Sequence, residues 1–210
     1  MARRASTISL SSIVLFALLG PVQGRSLIEN SVVMPITEAS PTLSPFQHVR
    51  FCLRYPADCK SDPAQTTTVD LTAETLDSMQ RVNRDVNLSI MPVAKSDPVA
   101  DGGWTISPIS GDCNDYAVTK RHELLQKGLP AKALRLAVVK TQSGIGHLVL
   151  VVATSKGNLV LDNLTETIVP WQLTKYQWVK IQSSADARFW FEIKPRGMVL
   201  SQVDRKTADR

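Results

Sequence analysis

The chain has 210 residues, 43% of them hydrophobic and 20% charged, with a formal net charge of +5. Its charges alternate in sign and form no Lys/Arg block, which excludes the concentrated basic stripe of a nucleic-acid binder. Its longest apolar run falls well short of the roughly 20 residues a membrane-spanning helix needs, so the mature form is expected to carry no membrane span.

Residues 1–24 read as a secretory signal, with an uncleaved N-terminal anchor as the alternative. Arg3 and Arg4 supply the positive start, Ile13 to Gly20 the short apolar core, and Val22 and Gly24 the small residues of a cleavage site. Its removal leaves about 186 residues with a net charge of about +3, enough for one domain with a real core. The protein is therefore expected to be periplasmic or secreted. Residues 25–47, rich in Pro, Ser and Thr, read as an extended N-terminal arm. The domain itself is placed at 48–203, with a polar tail at 204–210.

An exported chain with three cysteines has one left over if two pair. Cys52 and Cys59 close the segment FCLRYPADC, whose Tyr55-Pro56 suggests a turn. A small disulfide loop is the natural reading in an oxidising compartment, and two buried thiols are the alternative. Pairing leaves Cys113 unpaired.

From Asp70 to about Asn87, Leu71, Leu76, Met79, Val82 and Val86 recur at helical spacing. A Pro- and Gly-containing loop, AKSDPVADGG, leads to Trp104. A second helix is expected over Asp112 to Gly128, with Asp112 as N-cap, Gly128 in the left-handed C-terminal position and Pro130 preventing continuation. The pattern then turns to strands: ALRLAVVK, HLVLVVA at 147–153 (apolar on both faces), NLVLDN at 158–163, YQWVKIQ at 176–182 and FWFEI at 189–193. Helices first and antiparallel-looking strands afterwards make an α+β domain.

Cys113 opens the second helix. There the helix dipole and free amide hydrogens stabilise a thiolate, and the backbone amide of Cys113 can face the oxyanion of a tetrahedral intermediate. The alternative is a small buried apolar residue. Of the three histidines, His122 lies within the helix and reads as solvated, and His48 has no obvious partner. His147 opens an apolar strand, and Asp162 follows fifteen residues later inside an apolar arm. A carboxylate there needs a partner, and bonding to a His would fix the tautomer that faces a thiol. A two-residue turn at Lys156-Gly157 would pair Val151 with Asp162 and leave His147 about 13 Å away along the sheet. Contact then requires an earlier turn or a bulge. Trp104 either lines a cleft or belongs to the core. Asp112, Asn114 and Glu123 mimic a calcium loop only loosely, because Ala117 stands where Gly is needed. There is no H-E-x-x-H, phosphate loop or Cys-x-x-Cys.

The run WTISPISGDCNDYAVTK, then GLP, GHLVLVV and LVLDN, resembles the bacterial transglutaminase-like cysteine proteinases, from about Phe51 to about Trp190. The resemblance implies a papain-like core with the catalytic Cys at a helix N-terminus, packed on an antiparallel sheet that carries the His and the Asp. Cys113, His147 and Asp162 would form the triad, hydrolysing peptide bonds through a thioester. It further implies a surface or secreted protein as substrate and an inner-membrane regulatory receptor as partner. Calcium would be held by Asp112, Asn114 and Asp115, with Asn114 standing where an acid is common. The chemistry itself needs no cofactor. Two other functions share these residues: a protein-crosslinking transglutaminase, in which a lysine amine replaces water, and a secreted interaction domain without turnover.

Overall fold

A computed structural model describes residues 35–94 and 103–193. The signal at 1–24, most of the AKSDPVADGG loop and the polar tail lie outside the described residues. Seven strands form one antiparallel sheet: β1 (Glu38–Thr42), β4 (Leu134–Lys140), β5 (Gly146–Thr154), β6 (Gly157–Leu161), β7 (Val169–Pro170), β8 (Gln177–Gln182) and β9 (Trp190–Ile193). Their spatial order is β1-β9-β8-β4-β5-β6-β7. The α+β reading holds.

The helices are α1 (Phe46–Arg54), α2 (Ala73–Ser89) and α3 (Cys113–Gln126). Thr72 caps α2, accepting from the Thr75 amide at 3.1 Å. Leu76, Met79, Val82 and Val86 of α2 are buried, as their spacing requires. Past the end of α3, Gly128 takes φ 86°, a left-handed conformation open to glycine without strain. Two short strands, β2 (Met91–Pro92) and β3 (Ser110–Gly111), pair in parallel and bring the chain to the start of α3.

The strand β5 is buried on both faces. Leu148, Leu150 and Val152 join the helical side of the core with Leu134, Leu136 and Leu161. Val149 and Val151 join the opposite side with Val139, Val160, Trp171 and Ile181. The sheet is thus a middle layer, which is why HLVLVVA shows no polar alternation.

Two local expectations are corrected. The segment read as an arm contains β1, paired with β9, and runs into α1, which ends at Arg54 ahead of the expected turn at Tyr55-Pro56. The periodicity of α1 is inverted, because Phe46, Val49 and Leu53 are exposed while His48 and Phe51 are buried. The β5–β6 turn falls at Ser155-Lys156, one residue early, with Thr154 opposite Gly157. A distant segment holds it there: the Ser155 amide donates to Val69 O at 2.8 Å and the Leu71 amide to Ser155 Oγ at 3.1 Å.

Cys52 and Cys59 are joined by a disulfide, and Cys113 is a free thiol. The short loop delivers Asp58 to α3, where Arg121 Nη1 donates to its carbonyl and His122 Nδ1 lies 3.0 Å from its carboxylate. His122 is therefore paired and part-buried rather than solvated. Removing the bridge by Cys52→Ser with Cys59→Ser should lower unfolding free energy by about 2 kcal/mol, read by urea titration of both oxidised proteins.

Candidate active site

The thiol of Cys113 stands at the first position of α3, and its support is built from two acids. Asp112 is the N-cap, its Oδ1 accepting the Asn114 amide at 3.0 Å, and Asp115 Oδ2 in turn accepts the Asp112 amide at 3.0 Å. This capping box satisfies amides that no helical carbonyl can reach. Asp115 Oδ1 also accepts the Thr105 amide at 2.8 Å, so the incoming chain is tied to the same carboxylate.

His147 is the second residue of β5, and Asp162 directly follows β6. Because the turn comes one residue early, the register continues Val151 opposite Val160 to Val149 opposite Asp162. His147 is then a diagonal neighbour of Asp162 on the same face, within side-chain reach. Nε2 of His147 lies 2.8 Å from Asp162 Oδ1. That bond leaves Nδ1 to face the thiol.

Both partners are buried, His147 to 6% exposure and Asp162 to 3%. Burial alone would lower the pKa of His147, but hydrogen bonds to Asp162 and Cys113, and their negative charge, outweigh it and raise the imidazole to about 9. Burial pushes Asp162 upward, yet its bonds from His147, Tyr176 and the Leu164 amide hold the carboxyl below its usual range. The Asn87 side chain fixes the backbone by donating to Asp162 O at 3.0 Å. Lys120, on the same helical face as Cys113, is 1% exposed. Desolvation brings its pKa down to about 7 against the pull of Asp162.

A cleft of about 600 Å³ runs past these groups, walled by Gly111, Cys113, Tyr116, His147, Asn163 and Leu164. Ile145 and Leu164 stand exposed on its rim. Trp104 is elsewhere. It is buried among His48 and Phe51, with ring centroids 5.7 and 6.3 Å away, so it is a core residue and not part of the described cleft wall. His48, for which the sequence offered no partner, accepts from Trp190 Nε1 at 3.2 Å and meets Gln182 Nε2 at 2.9 Å. Burial and the nearby Arg121 charge lower it to about 4. It lies close to Cys52 and Cys59, but their disulfide removes both sulfurs as metal-binding thiolates.

The acids at the head of α3 are the residues that calcium would use. All four carboxylate oxygens already accept an N–H: Asp115 takes Thr105 and Asp112, and Asp112 takes the Asn114 backbone and, at 3.2 Å, the Asn114 side-chain amide. Asn114 turns a donor toward Asp112, whereas a ligand set needs its carbonyl, and Asp115 is 0% exposed. In this arrangement the three residues form a closed cap, and a calcium shell would require the Asn114 amide to turn its carbonyl toward the cation. The site has one sharp packing constraint, at Gly111, where a Cβ would fall 2.5 Å from Asp115 Oδ2. Gly111→Ala should therefore break the capping box, cost about 1–3 kcal/mol in denaturant titration, and change the alkylation rate of Cys113.

Residues 38–198 match the family model described as bacterial transglutaminase-like cysteine proteinase. No curated protein matches the chain. Among solved structures, EGTA-treated LapG of Legionella pneumophila is 23% identical, with 60% of this chain and 71% of that chain covered and a TM-score of 0.48. Calcium-bound LapG of the same organism is 20% identical, with 63% and 77% covered and a TM-score of 0.48. The family match takes in every sheet strand and all three helices, and the chain belongs to the bacterial transglutaminase-like cysteine proteinases and is a cysteine peptidase.

Proposed function

We propose that this chain hydrolyses peptide bonds of a surface or secreted protein, outside the cytoplasm, with Cys113, His147 and Asp162 as its triad. The observation that carries the reading is the buried 2.8 Å bond between His147 Nε2 and Asp162 Oδ1, beside a free thiol at a capped helix start.

Cys113 Sγ attacks the scissile carbonyl carbon as a thiolate, its proton residing on His147 Nδ1. The oxyanion that forms meets the first-turn amide of Cys113 at the positive end of α3. His147 gives its proton to the leaving amine as the C–N bond breaks, leaving a thioester on Cys113. Neutral His147 then takes a proton from water, whose oxygen attacks the thioester and frees the carboxylic acid and the thiolate. Asp162 holds the ring and balances its charge throughout. An exported location is supported by the Cys52–Cys59 disulfide together with the signal read at residues 1–24.

We assign no calcium to this chemistry. The solved relatives include calcium-bound and EGTA-treated forms, but here Asn114 supplies the hydrogen that completes the Asp112 carboxylate. Melting temperature should accordingly be the same in millimolar calcium and in EGTA; a rise of several degrees with calcium would restore the cation to the cap.

The pH dependence has a definite sign. His147 is raised above 6.5, so the stability it contributes is complete below about 6.5 and is lost as pH rises through about 9. Asp162 is lowered, so its share is present above about 3.8 and fails only in stronger acid. Thermal stability should fall between about pH 6.5 and 9 in the wild type and fall less in His147→Ala. The reaction is tested by iodoacetamide alkylation of Cys113 across pH. An acid shoulder present in the wild type and absent in His147→Ala supports the Cys–His pair. A profile indifferent to His147 removes it.

A further inference from the structure

Asp162 is almost fully buried, yet it forms part of the wall of a second hollow, a basin of about 740 Å³ that Cys113 does not line. The basin is continuous with the cleft, sharing Thr141, Ser143 and Leu164 as a saddle. The two oxygens of Asp162 face different surroundings. Oδ1 takes His147 Nε2 and, at 3.1 Å, the Leu164 amide. Oδ2 takes the hydroxyl of Tyr176, a half-buried residue of the basin wall.

The ring of Tyr176 also lies against the imidazole, with centroids 5.6 Å apart and planes at 54°. Tyr176 arrives just ahead of β8, on a segment independent of the β5–β6 hairpin that carries His147 and Asp162. Burial and its bond to Asp162 raise the phenol, so it stays neutral and can only donate to the carboxylate. The other charged or titratable groups that act on Asp162 are His147 on β5 and, from α3, Lys120. Cys113 on α3 and Lys175 on the basin wall complete the surroundings.

We propose that Tyr176 is a positioning residue of the triad: its hydroxyl holds Asp162 Oδ2 so that Oδ1 stays on His147, and its ring closes the imidazole off from the basin. This rests on the triad reading above. A carboxylate has a two-fold rotor, and with one oxygen unheld it turns toward basin water and away from the ring. A neutral donor suits the place because it fixes Oδ2 without cancelling the charge that His147 needs.

Tyr176→Phe keeps the ring and deletes the hydroxyl. Alkylation of Cys113 by iodoacetamide in Tyr176→Phe should be about tenfold slower at pH 6, with the acid limb moved up by about one pH unit. In an Asp162→Asn background the same change should have no further effect, because the group it acts through is gone. Single-site replacement by 3-fluorotyrosine, a better donor, should move the acid limb the other way and does not depend on Tyr176→Phe folding well. Superimposable profiles for Tyr176→Phe and wild type, or an equal slowing in the Asp162→Asn background, overturn the positioning role and leave the triad intact. Alkylation indifferent to His147→Ala instead removes the triad, and this role with it.

Discussion

The carboxylate of Asp162 is 3% exposed, and a charge so placed persists only where donors surround it. Three do: the imidazole of His147, the amide of Leu164 and the hydroxyl of Tyr176. They come from the strand β5, the loop after β6 and the approach to β8. The sheet must therefore be assembled before the acid can be buried ionised. The imidazole gains in return, because an anion in a low-dielectric wall keeps the ring charged at pH values where free imidazole is neutral. The same interaction stabilises the fold and poises the chemistry.

Cys113, the proposed nucleophile, depends on a second, local device. Helix α3 starts at Cys113 because Asp112 and Asp115 satisfy the amides there, and because Gly111 lacks the Cβ that would strike Asp115. Asp115 is 0% exposed, and its two oxygens accept the Asp112 and Thr105 amides. A GDC-x-D sequence can thus be read mechanically: glycine makes room, the first acid caps, the cysteine occupies the strongest part of the dipole, and the second acid closes the box.

Much of this was legible in the residues. The amphipathic helix α2, the capped helix α3, the five main strands and the two-sided burial of HLVLVVA follow from period and punctuation. What failed did so for long-range reasons. The turn between β5 and β6 was placed one residue late, which put His147 and Asp162 out of reach. Nothing near it in sequence shows that Val69 and Leu71 hold Ser155. The helix α1 was missed because three of its apolar residues, Phe46, Val49 and Leu53, point outward, while the buried side pairs the apolar Phe51 with the polar His48. Tyr176 gave no signal of its own. An aromatic at a strand start is ordinary, and only the assembled sheet brings its hydroxyl to Asp162.

The disulfide loop has a structural consequence for α3. α3 runs through the middle of the molecule and carries two buried cations in succession, Lys120 and Arg121, both nearly without exposure. Lys120 lies on the nucleophile's face and is depressed by desolvation, so burial rather than a partner's charge sets its state. Arg121 points the other way and needs acceptors: Leu134 O supplies one at 3.0 Å and Asp58 O another. Asp58 is held at that place between Pro56 and Cys59, on the turn that Cys52 closes. A guanidinium with an acceptor withdrawn loses far more than the bond, because the charge remains buried. The bridge therefore secures the middle of the same helix that opens at Cys113, and it completes the support that the capping box begins at its end.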